Sequence, residues 1–219
     1  MTSGVNTRAL VLEMLIEILE NGKYSHLVLS DVLNKYQYLE KTERAFMTRL
    51  TEGTIEQKIQ LDYVIDLYSK TKVKKMKTLI RNLLRMSVYQ LLYMDAIPDS
   101  AVCNEAVKLA KKRGFTQLSG FVNGVLRTIA REKDEITFPS LSVKYAMPEW
   151  LIDLWEKAYG EDKTIEILEG FQMKQPMSIR VNQSRTTAEQ LKEEIMCRII
   201  KHLEKEYKNS INANTVWED

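Results

Sequence analysis

In "NTRALVLEMLIEILENG", Leu10, Met14, Leu15 and Ile18 recur at helical spacing, and the pattern stops at Asn21-Gly22. "SHLVLSDVLNKY" predicts a shorter helix with Leu27, Val28, Val32 and Leu33 on its apolar side. A long helical region follows from about Glu40 to Tyr68, with Gly53 as a bend. Leu79, Ile80, Leu83, Leu84, Val88, Leu91 and Leu92 then share one side of the next helix, and Met86, Tyr89 and Tyr93 make its other side apolar too. That helix should be buried nearly all round. Pro98 opens another helix, stopped by Gly114, and "GFVNGVLRTIAREK" closes the set.

From residue 134 the period fails. "DEITFPSLSVKYAM" carries a proline and reads as a connector, placed at residues 136–147. Helices are predicted from about Pro148 to Tyr159 and Asp162 to Gln172, "MSIRVN" alternates as a short strand does, and a last helix begins near Thr187. The expected fold is mainly α: a compact helical bundle over 1–135, then a small, incomplete α+β extension over 148–194 and a tail over 195–219. Four dozen residues cannot bury a core of their own well.

Composition adds little until it is divided along the chain. Hydrophobic residues at 44% and charged residues at 28% fit an ordinary globular domain. The net charge is only +2, but residues 1–135 hold 21 Lys+Arg against 16 Asp+Glu, whereas 136–219 hold 11 against 14. Only the first part favours a polyanion. Two cysteines far apart, Cys103 and Cys197, and two histidines, His26 and His202, give neither a zinc site nor a disulfide framework. Glu13 and Glu17 interrupt the N-terminal apolar run, unlike a signal-peptide core, and no uncharged run reaches about 18–20 residues. The expectation is a cytoplasmic protein without a membrane segment.

The charge is densest in "KTKVKKMKTLIRNLLRMSVYQLLY", where Lys70, Lys72, Lys74, Lys75, Lys77, Arg81 and Arg85 meet no acidic residue. Charge runs are usually solvated faces. Here four lysines gather at the N-terminal side of a buried helix, where the dipole disfavours each cation by about 0.3–1 kcal/mol. A cluster that lowers stability calls for a ligand, and the nucleic-acid backbone is the commonest one. An acidic protein would look the same to a lysine. Arg8 is another cation in a first helical turn. No nucleotide-binding glycine loop and no H-E-x-x-H occurs; Cys103 reads as a buried helical residue.

Jointly, "NTRALVLEML", "RAFMTRLTEGTIEQKIQLDYVI", "LLRMSVYQLLYMDAIPDSAVCNEAVKLAKKRG" and "GFVNGVLR" resemble the NusB family of RNA-binding helical domains. "YAMPEWLIDLWEKAYGEDKTIEILEGFQMKQPMSIRVNQSRTTAEQL" resembles the bridging region of RsmB-type (Sun-type) 16S rRNA cytosine-5 methyltransferases. That resemblance implies an rRNA-recognition region that precedes a catalytic domain. The family's S-adenosylmethionine motif, of the form D-x-C-A-A-P-G-G-K, and its two catalytic cysteine motifs are absent here. No catalytic residue, metal or cofactor is therefore expected in this chain, and no methyl transfer by it alone. From about Ile195 the sequence no longer follows the bridge.

The expected partners are RNA, 16S rRNA in the first place, and a ribosomal protein under the alternative reading, a NusB-type transcription antitermination factor. The expected RNA-binding residues are Arg8, Lys70, Lys72, Lys74, Lys75, Lys77 and Arg81. Asn123 and Arg127 match recurrent family positions, with helix packing or capping an equal reading. Arg180 and Asn182 match the bridge's "RVN", with strand-end hydrogen bonding an equal reading.

Overall fold

The computed structural model describes residues 4–173 and 179–214, without the side chains of 202–214. The helices are α1 (Thr7–Leu19), α2 (Ser25–Lys35), α3 (Lys41–Glu56), α4 (Lys58–Tyr68), α5 (Thr78–Tyr93), α6 (Asp99–Lys112), α7 (Ser119–Glu132), α8 (Leu141–Lys144), α9 (Glu149–Tyr159), α10 (Glu161–Gln172) and α11 (Ala188–Asn214). Local chemistry sets their ends. The Asn6 side chain accepts the Ala9 N–H at 2.9 Å, a cap that satisfies one orphan donor of α1. Gly22 and Gly114, just beyond α1 and α6, take φ of 71° and 84°, where a side chain would be strained. Both were legible as stops.

The described residues divide into two compact units after Gln172. In the first, α5 is the central element. Every residue from Asn82 to Leu91 is buried, and α1, α3, α4, α6 and α7 pack around it. Leu12, Leu15, Leu50, Leu61, Leu83, Leu84 and Leu126 are fully enclosed, each contributing about 2 kcal/mol by leaving water.

Three expectations shift. Gly53 lies inside α3, and the chain breaks at Gln57 instead. A Cβ at Gly53 would overlap the Tyr89 ring, so this glycine admits a neighbour rather than a bend. In α2 the inner face is rotated: Leu29 is buried, whereas Leu27 is exposed. Residues 136–147, expected as a connector, contain α8 and are tied to α4. Gln60 Nε2 donates to the Lys144 carbonyl at 3.1 Å, Tyr63 Oη to the Thr137 carbonyl at 3.3 Å, and Phe138 meets Tyr63 edge-on. A small satellite core of Tyr145, Ile152 and Leu168 follows.

The second unit holds α11 and residues 179–182, which belong to no regular element. The expected strand "MSIRVN" lies partly outside the described residues, at Met177 and Ser178. Its remainder, Ile179–Asn182, forms no strand, and none occurs among the described residues. A strand exists through ladder bonds to a neighbour, and this segment has no neighbouring strand to bond.

Candidate nucleic-acid interface

Between α4 and α5 the chain makes a single 3-10 turn, Val73–Lys75. Val73 and Met76 are buried, and Asp66 Oδ1 accepts the Val73 N–H at 2.6 Å. Burying Val73 and Met76 leaves Lys70, Lys72, Lys74, Lys75 and Lys77 exposed. Lys72 Nζ donates to the Asp66 carbonyl at 3.2 Å. The ammonium groups of the other four make no ion pair or hydrogen bond among the described residues. Of the four lysines from Lys72 to Lys77, only Lys77 caps α5, so the dipole penalty expected for the whole cluster falls chiefly on that residue. Their mutual repulsion remains.

Arg81 is placed differently. It grips Glu20 with two guanidinium nitrogens, its Nε at 2.7 Å from Oε1. Asn82 Nδ2 donates to the same carboxylate at 2.7 Å. Arg85, buried mid-helix, donates to Asp62 through Nε (2.6 Å) and Nη2 (2.9 Å) and to Asn82 Oδ1 (2.9 Å). The Arg81 hydrogen bond holds the Glu20 carboxyl below its ordinary range against the opposing effect of burial, and Glu20 in turn raises Arg81. This network joins α1, α4 and α5 under the lysine turn. It offers no free guanidinium to a phosphate, since Arg81 is committed to Glu20.

Arg8 is likewise engaged. Its Nε donates to Gln90 Oε1 at 2.8 Å, and its guanidinium lies 5.1 Å from the Phe46 ring centre. Burial pushes its pKa down. Arg127 is exposed on α7, and Asn123 is half-buried. Arg180 and Asn182 are exposed in the second unit, where Asn182 Oδ1 accepts the Ser184 N–H (3.1 Å) and hydroxyl (2.7 Å) and so closes the turn that follows. The expected set is therefore one contiguous lysine group, two arginines held in the fold, and scattered members elsewhere.

Sequence reasoning missed a hollow of about 340 Å³ beside the turn. Lys75 and Lys77 border it, and Met76, Ile80, Leu118 and Phe121 form its apolar walls. Leu118 just precedes α7 and Phe121 lies in its first turn, distant in sequence, so only tertiary packing brings them to the lysines. Cys103 is buried, and burial raises its thiol pKa; Cys197 is exposed. No His, Cys, Asp and Glu group among the described residues could hold a metal, and none of their helices is long and apolar enough to cross a membrane. S-adenosylmethionine does not fit these residues either. The described part has no strand-end glycine turn to receive it, and the hollows found are open.

Residues 5–131 match the NusB family, and residues 147–211 match the ferredoxin-like domain of RsmF/B-like methyltransferases. The chain is 38% identical over 192 residues to a Bacillus subtilis protein named "Probable ribosomal RNA small subunit methyltransferase B", covering 85% of this chain and 42% of that one. The chain thus spans about two-fifths of the length of the curated relatives it matches. Among solved structures, T. maritima NusB superposes with a TM-score of 0.53 at 26% identity, covering 59% of this chain and 95% of that one. NusB from a complex of antitermination factors NusB and NusE with dsRNA gives 0.52 at 21%, covering 57% and 93%, and shows the fold alone. The family match takes in more than half of the 219 residues, and this chain belongs to the NusB family.

Proposed function

We infer that this chain is the RNA-recognition part of a 16S rRNA cytosine-5 methyltransferase and that it binds RNA through the lysine turn. The observation that carries this reading is the exposed group Lys70, Lys72, Lys74, Lys75 and Lys77 on a turn capped by Asp66, none of whose ammonium groups forms an ion pair among the described residues. Five cations at fixed positions match a row of phosphates. The relatives named as rRNA small subunit methyltransferases supply the class of RNA. The ferredoxin-like match at 147–211 favours this reading over a free-standing antitermination factor acting with a ribosomal protein. Arg8 and Arg81 then act by holding α1 and α5 in place. Arg127 with Asn123, and Arg180 with Asn182, are candidates for secondary contacts. The domains are read as a NusB-like RNA-binding body over 1–135, the connector 136–147, a partial bridging domain over 148–194 and a tail over 195–219.

The test is binding of the purified chain to a structured 16S rRNA fragment across a salt series. With four lysines on phosphates, log K should fall against log[salt] with a slope of about −3, from ~0.7–0.9 per contact. Changing Lys72, Lys74, Lys75 and Lys77 together to Glu should remove most of that slope. The chain alone should transfer no methyl group to the same RNA. Unchanged affinity in the lysine variant would assign the turn to a protein partner instead.

A further inference from the structure

Helices α9 and α10 carry charge of the opposite sign and an apolar surface left exposed among the described residues. Residues 149–172 hold seven acidic side chains against two lysines, one of which, Lys163, is paired with Glu166. On α9 the exposure follows two parallel rows. Glu149, Asp153 and Glu156 recur at helical spacing, and none of their carboxylates makes an ion pair or hydrogen bond among the described residues. Beside them Trp150 and Leu154 form an apolar row, 68% and 54% exposed. Trp155 stacks on Phe171 of α10 (centroids 5.9 Å apart, 16° between planes), and Phe171 is itself 63% exposed. Single exposed apolar residues are common, but an aromatic group of this size on a short amphipathic helix marks a contact surface.

The charge row states what can occupy it. Phosphates are repelled by three uncompensated carboxylates, so RNA is a poor occupant. The acidic row also rims a hollow of about 260 Å³, with Leu141 and Ile152 among its walls. An apolar wall under an acidic rim suits the aliphatic stem and cationic head of Arg or Lys. We propose that α9 is a protein-docking helix whose partner is a basic amphipathic segment, its apolar row lying on Trp150 and Leu154 and its Arg/Lys row facing Glu149, Asp153 and Glu156. The surface works independently of the lysine turn, and its sign keeps RNA and protein partners on separate faces.

The experiment titrates the whole chain with two labelled synthetic helical peptides that share a leucine row and differ only in an Arg or a Glu row beside it. The Arg peptide should bind and the Glu peptide should not. Asp153→Lys with Glu156→Lys should weaken the Arg peptide by about tenfold and admit the Glu peptide, a charge swap that misfolding cannot mimic. Leu154→Ser should weaken the Arg peptide with the wild-type charge row intact. Equal binding of both peptides to the wild-type chain, or failure of the swapped pair, overturns the proposal. So does self-association of the chain that Trp150→Glu abolishes, which would make a second copy the occupant.

Discussion

Glu20 holds together more than its position beyond the end of α1 implies. Its carboxylate receives Arg81 and Asn82, and Arg85 Nη1 lies 3.6 Å away. Burial of the pair is substantial, with side-chain exposures of 14% for Glu20 and 23% for Arg81. Removing one partner strands the other, and Glu20→Gln should cost about 3 kcal/mol at neutral pH. The folded-state pKa is depressed, so this contribution is present above the ordinary carboxylate value of 4.5 and is lost as pH falls through the lowered one. Urea unfolding of both proteins across pH should show their gap closing below about 4.5. At Gly53 the constraint is space. Gly53→Ala should destabilise by about 1–3 kcal/mol against Tyr89. In a Tyr89→Leu background the same change should cost little, because alanine also favours the helix. A thermal double-mutant cycle reads the difference.

Helices with one apolar side were legible because periodicity is a local property. The central helix was readable as buried all round, yet its polar interior was not: Asn82, Arg85 and Gln90 find partners on α1 and α4 that no local pattern reveals. The signal was available in principle, since an arginine in the middle of a fully apolar helix requires an acidic partner. The connector was the harder element. Proline and a broken period do mark its start, but Gln60 and Tyr63 of α4 hold it by side-chain bonds to its carbonyls, and those are set by the fold. Hydrogen exchange should find the amides of residues 144–147 slow, because Lys144, Tyr145 and Met147 donate to Ser140, Leu141 and Ser142. Gln60→Ala should speed them by about tenfold, and it also strips Tyr93 Oη, at the end of α5, of its acceptor. The lysine turn was found from charge alone. Its apolar hollow was not, because Leu118 and Phe121 approach it from another helix.

At the scale of the molecule, α4 connects the lysine turn with α8. The lysine turn follows its C-terminus, capped by Asp66, and α8 lies against its side through Gln60. Unit one contains both the cationic turn and the acidic α9–α10 pair, so the lysine contacts can be tested apart from the secondary candidates Arg180 and Asn182 in the second unit. A chain ending at Gln172 should keep the same salt slope on the rRNA fragment; a lost slope would move part of the interface to Arg180 and its surroundings. Because Val73 and Met76 are already buried and Asp66 already fixes the backbone, the lysines arrive as a prepared surface rather than a basic tail that must order itself. The thermodynamic consequence is that little chain entropy is lost when RNA docks, and little further apolar area leaves water. Calorimetry should then record a binding enthalpy nearly constant with temperature, where a segment folding onto RNA would give a steep heat-capacity term.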